Sequence, residues 1–75
     1  MEEKIKNIIS EYLGCIIEDD NELLYDYGFD SLKAIGIIVE VEENFNIIIP
    51  NELLAIENWD SLSKIKKLVF ELVNA

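Results

Sequence analysis

Gly28-Phe29-Asp30-Ser31-Leu32 closes a long acidic loop and opens a run whose apolar residues recur at helical spacing from Leu32 to Phe45. A serine at that point offers an exposed hydroxyl at a helix start. Aligned peptide dipoles and unpaired N–H groups at such an end favour a bound or covalently attached phosphate. Ser31 is therefore the candidate modification site.

The tripeptide Asp-Ser-Leu recurs at Asp60 to Leu62, again where a helix is expected to begin. Either copy could be a simple cap, because Asp and Ser side chains accept hydrogen bonds from the free N–H groups of a first helical turn. Context separates them. The first copy follows Gly28, which lets the loop approach the helix start tightly, and precedes a helix with an extra apolar face and an acidic end, Glu40, Glu42 and Glu43. The second follows Trp59, a core anchor, and precedes a helix bearing lysines. If one serine is modified, it is Ser31.

The rest of the chemical inventory is sparse. The 75 residues include no His and no Arg, one Cys, and six Lys as the only cations. Without imidazole there is no Ser-His or Cys-His pair and no imidazole metal ligand. Cys15, flanked by Gly14, Ile16 and Ile17, has no disulfide partner within the chain and reads as a small buried hydrophobe. A single cysteine also fits a reducing compartment.

A net charge of −10 argues against nucleic acid, whose phosphates are held by clustered Lys and Arg, and for partners with basic surfaces. Met1-Glu2-Glu3 does not open a signal peptide, and no apolar run approaches membrane-spanning length, so a cytoplasmic protein without membrane insertion is expected. At this length one domain over residues 1–75, a monomer, buries only about 60% of its unfolded surface.

The elements that must position Ser31 follow from periodicity. Ile5, Ile8, Ile9, Tyr12 and Leu13 predict a first helix from Glu2 to Leu13, with Glu2 and Glu3 in the first turn and Gly14 ending it. Cys15 to Asp30 has no sustained period, yet Ile16, Ile17, Leu23, Leu24, Tyr27 and Phe29 make it an ordered loop pinned to the core.

The second helix is predicted over Ser31 to Phe45. Ala34, Ile37, Ile38, Val41 and Phe45 form one apolar stripe, and Leu32, Ile35 and Val39 form another beside it. Both stripes cannot be buried in so small a domain; the first is assigned to the core and the second to binding. Ile47-Ile48-Ile49 has strand composition, but Pro50 truncates it and no second strand is at hand. It reads as an extended connector into a short helix near Asn51 to Ala55. Asp60 is the expected N-cap of a last helix with Leu62, Ile65, Val69, Leu72 and Val73 on its core face and Lys64, Lys66 and Lys67 mostly solvated. The fold class is all-α, a small four-helix bundle of three principal helices and one short one, with a long first loop.

Asp-Tyr-Gly-Phe-Asp-Ser-Leu (26 to 32), the helix end Glu-Val-Glu-Glu-Asn-Phe (40 to 45) and Ile-Ile-Ile-Pro (47 to 50), in that order, resemble the acyl carrier and peptidyl carrier protein family over essentially the whole chain. The resemblance implies an acyl-carrier-like bundle that is not an enzyme. A pantetheinyl transferase would move phosphopantetheine from coenzyme A onto Ser31, and the thiol of that arm would hold an acyl or aminoacyl group as a thioester. It also implies loading ligases and downstream synthase enzymes as partners, meeting the carrier at Asp30, Leu32, Ile35, Val39, Glu42 and Glu43. The apolar members would supply contact area and the carboxylates would steer basic partners.

Lys33 and Gly36 depart from the fatty acid carrier pattern, in which carboxylates often lie there. The chain thus looks more like a carrier for a specialised pathway, polyketide, nonribosomal peptide or cell-envelope synthesis, with primary fatty acid synthesis as the alternative. Ile37, Ile38, Val41, Ile49 and Ile56 would line any pocket for a long acyl chain, although such spacing is that of plain core, and only modest sequestration is expected.

Two other classes compete. Glu18-Asp19-Asp20-Asn21-Glu22 suggests calcium, but an EF-hand loop counted from Asp19 puts Leu24 where the sixth-position Gly is required, so no metal site is expected. A helical interaction domain without a covalent cofactor would use the same two-sided helix as a docking surface. Paired carboxylates for acid–base catalysis carry little weight, because sixteen acidic residues on a small domain meet by chance.

Overall fold

Glu2 and Glu3 occupy the first turn of α1 (Glu2–Leu13), where carboxylates complement the positive end of the helix dipole, and Ile5, Ile8 and Ile9 form its buried stripe. The computed structural model describes residues 2–74. Gly14 ends α1 in the left-handed conformation at φ +71°, its N–H donating to the Ser10 carbonyl at 2.8 Å.

The segment from Cys15 to Asp30 is ordered, as expected, and contains a 3₁₀ turn at Leu24–Tyr27 that periodicity did not reveal. Ile17, Leu24 and Phe29 are buried and pin it to the core. The start of the last helix holds it as well. The Leu24 N–H donates to the Asp60 carbonyl at 2.7 Å, and the Ser63 N–H donates to the Asp20 carbonyl at 2.9 Å. Lys66, expected on a solvated face, is instead half-buried and pairs with Asp20 at 2.7 Å and Glu2 at 3.7 Å, joining loop and first helix to the last. Its pKa is raised chiefly by the Asp20 hydrogen bond.

α2 (Ser31–Phe45) packs Ala34, Ile37 and Val41 into the core and ends at Asn46, left-handed at φ 53°. Gly36 lies where α1 crosses: a Cβ added there would stand 2.4 Å from the Tyr12 ring. The connector 47–50 is extended, with Ile49 buried and Ile48 turned to solvent. The short helix expected near Asn51 to Ala55 is two 3₁₀ turns, Asn51–Leu53 and Ile56–Asn58. Ala55, extended at ψ 136°, breaks them apart, and the Leu53 carbonyl is taken by the Trp59 indole N–H at 2.8 Å.

α3 (Leu62–Val73) begins one residue later than an Asp60 cap would require, because Ser61 is the N-cap. Leu62, Ile65 and Val69 are buried and Leu72 half-buried, whereas Val73, expected on the core face, is exposed near the helix end. The three long helices therefore stand as expected, all-helical among the described residues, around a core centred on Trp59, Ile9, Ile37 and Ile65. Cys15 is half-buried against that core as a free thiol. Ile37, Val41 and Ile49 belong to it and Ile38 and Ile56 pack on it, which is the plain-core reading. A surface cleft of about 530 Å³ lies elsewhere, along Leu53, Asn58, Lys64 and Leu68.

Candidate functional site

The chain arrives at α2 through Gly28, which ends the 3₁₀ turn at φ +90°, a conformation that L side chains rarely adopt. Phe29 is buried and fixes the loop. Asp30 then stands extended as the N-cap, its carboxylate accepting the Lys33 N–H at 2.9 Å and its carbonyl accepting the Ala34 N–H at 2.9 Å. Ser31 is the first helical residue, and it is exposed. Among the described residues neither the Ser31 nor the Leu32 N–H has an acceptor, so two free donors lie beside the hydroxyl.

The second Asp-Ser-Leu is used differently. There the serine is the cap: the Ser61 hydroxyl accepts the Lys64 N–H at 3.3 Å and the residue is buried. Asp60 is buried too, paired with Lys64 at 2.9 Å. Ser61 thus has neither the exposure nor the position of Ser31.

Along α2 beyond the hydroxyl runs an apolar face open to solvent, Leu32 at 80% exposure, Ile35 at 60% and Val39 at 44%. Glu43 is exposed beside it. Glu42 is half-buried, and its carboxylate accepts the Ile49 N–H at 2.9 Å, which anchors the connector to the helix end. Asp30 sits at the other end of this face, engaged as the cap.

Two residues that sequence reasoning treated only as departures have structural partners. The Lys33 ammonium folds back to donate to the Gly28 carbonyl at 3.1 Å. Gly36 makes room for the Tyr12 ring, so a longer side chain at that place would collide with α1. A glycine inside a strongly helical pattern was the available signal for close approach.

Among the described residues no three His, Cys, Asp or Glu side chains gather as a metal site, and no helix is long and apolar enough to cross a membrane. A free hydroxyl over unpaired N–H groups, beside an apolar helix face, is suited to being modified and visited by other proteins. It defines a presenting domain. The family described as "phosphopantetheine attachment site" matches residues 3–69. The chain is 38% identical over 77 residues to the D-alanyl carrier protein of Streptococcus suis strain 05ZYH33, covering 100% of this chain and 98% of that protein. It is 35% identical to that of strain 98HAH33, with the same coverage. With the acyl carrier protein of Buchnera aphidicola subsp. Baizongia pistaciae it shares 40% identity over 93% of this chain and 96% of that one.

The protein belongs to the phosphopantetheine-binding carrier family. Members of this family bear the phosphopantetheine arm covalently and are carriers, not catalysts.

Proposed function

We propose that the Ser31 hydroxyl is the attachment point of the arm and that the protein carries an aminoacyl or acyl group, D-alanine foremost, through a specialised pathway such as cell-envelope synthesis. The observation that carries this reading is the exposed Ser31 at the first position of α2, with two free backbone donors beside it. Attachment joins Ser31 Oγ to a coenzyme A phosphorus; the P–O–P link breaks, adenosine bisphosphate leaves, and the serine proton passes to the transferase or solvent. Once in place, the arm ends in a thiol that holds cargo as a thioester.

The residues fit such a group. A phosphodiester on Ser31 sits in the favourable potential of the helix start, and nothing in the domain need move to admit it. Leu32, Ile35 and Val39, with Asp30, Glu42 and Glu43, form the surface met by a pantetheinyl transferase, a loading ligase and later synthase enzymes. The two D-alanyl carrier relatives favour an aminoacyl cargo. Lys33 and Gly36, in place of carboxylates at the front of the helix, weigh against the alternative of primary fatty acid synthesis, which the Buchnera relative keeps in view. One carrier domain over residues 1–75, cytoplasmic and monomeric, completes the reading.

The test is intact-mass spectrometry after incubation with coenzyme A and a promiscuous pantetheinyl transferase, followed by panels of D-alanine, other aminoacyl and acyl ligases. Wild type gains one arm, then the mass of D-alanine. Loading by fatty acyl ligases alone would shift the pathway to the alternative, and a folded sample that takes no arm would remove the reading.

A further inference from the structure

Lys33 is an unusual residue to find in the first turn of α2. A cation there opposes the helix dipole, whose positive end it shares, and such placements cost stability where carboxylates would contribute it. The chain has sixteen acidic residues to offer it, yet among the described residues its ammonium has no carboxylate within ion-pair distance; it donates to the neutral Gly28 carbonyl at 3.1 Å. Asp30, the nearest acid in sequence, spends its carboxylate on the Lys33 backbone N–H instead.

Three other lysines have partners elsewhere, and Lys6 and Lys67 lie on α1 and α3, away from the start of α2. Lys64 is held by Asp60 and the Glu57 carbonyl, Lys66 by Asp20 and Glu2, and Lys4 lies 5.9 Å over the Phe45 ring. Lys33 alone bridges the segment that bears Ser31: its two bonds run to Gly28 and Asp30, both just before the serine, from a point two residues after it. Its ammonium is held at the Gly28 carbonyl, three residues before the serine, and a charge acts on an anion out to about 8 Å at physiological ionic strength.

We infer that Lys33 is the cation that couples attachment of an anionic arm at Ser31 to the stability of the fold. Before modification its charge opposes the helix start; after modification the phosphodiester answers both the dipole and the ammonium. Lys33 is on this account a positioning residue, not a catalytic one, and the coupling rests on the Ser31 reading above.

The experiment compares unmodified and arm-bearing forms of wild type, Lys33→Gln and Lys33→Arg by thermal melting, at low salt and at about 1 M NaCl, where the screening length falls to about 3 Å. Attachment is expected to raise the melting temperature of wild type and Lys33→Arg by about 4 °C more than that of Lys33→Gln, with the difference vanishing at high salt. An equal rise in Lys33→Gln, or a difference that survives high salt, overturns the coupling. Should Lys33→Gln not fold, the rise in wild type and Lys33→Arg must still shrink with salt, and a salt-independent rise overturns it equally. Intact mass keeps the two readings apart: absence of the arm on wild type is a failure at Ser31, whereas a full arm with no Lys33 dependence is a failure of the coupling alone.

Discussion

Asp30 and Ser61 hold the same place on two helices. Each is the N-cap, and each accepts the N–H of the residue three further on, Lys33 at 2.9 Å and Lys64 at 3.3 Å. The two Asp-Ser-Leu copies are therefore one residue out of register with each other. In the first, aspartate caps and serine is left free; in the second, serine caps and aspartate is buried against Lys64.

Removing the two hydroxyls should have opposite consequences. Ser61→Ala loses a cap and should cost about 1 kcal/mol, or about 4–8 °C in melting temperature for a domain of this size, with arm attachment intact. Ser31→Ala should melt within about 0.5 kcal/mol of wild type and take no arm. Thermal denaturation and intact mass on both variants check this.

Gly36 and Tyr12 should be energetically coupled. Alanine in place of a mid-helix glycine is ordinarily worth about 1 kcal/mol, but here the added Cβ meets the Tyr12 ring at 2.4 Å. Gly36→Ala should accordingly stabilise a Tyr12→Ala background by about 1 kcal/mol more than it does wild type. A double-mutant cycle by urea denaturation measures the difference, and additivity would refute the steric account.

Alkaline stability should depend on Tyr27. Its phenol donates to the Glu22 carboxylate at 2.6 Å, and this bond, helped by desolvation, pushes its pKa from 10.0 up to about 12. Because the folded value lies above the unfolded one, the stabilisation is complete below pH 10 and is lost as pH rises toward 12. Tyr27→Phe should start less stable and lose less over that interval. Lys66, also raised, weakens both proteins in the same alkaline direction and cancels in the comparison.

The exposed stripe of α2 should matter to partners and not to folding. Ile35→Glu changes a residue that is 60% exposed, so stability should stay within about 0.5 kcal/mol. The kcat/KM of arm transfer should fall on the order of tenfold if Ile35 is an anchor of the interface. Transfer kinetics with melting as the control decide it.

Much of this was readable before any coordinates. The bounds of α1 follow from its acidic first turn and a terminal glycine, and the start of α2 follows from Asp30, all local signals that the tertiary structure leaves in force. The exposed triad Leu32, Ile35 and Val39 followed from there being more apolar face than a small domain can bury. What escaped depends on contacts distant in sequence. Lys66 looked solvated because Asp20 and Glu2 are far away along the chain. Asp60 looked like a cap because nothing local shows that its carbonyl receives Leu24 and that Ser61 caps instead. The 3₁₀ turns at Leu24–Tyr27, Asn51–Leu53 and Ile56–Asn58 are too short to impose a period.

The central claim is that the Ser31 oxygen bears the arm. Proteolysis of the modified wild-type protein, followed by tandem mass spectrometry of the peptides, locates the added mass directly. The account predicts it on Ser31 alone, in wild type and Ser61→Ala alike; an arm found on Ser61, Ser63 or Ser10, or one that persists in Ser31→Ala, would contradict it.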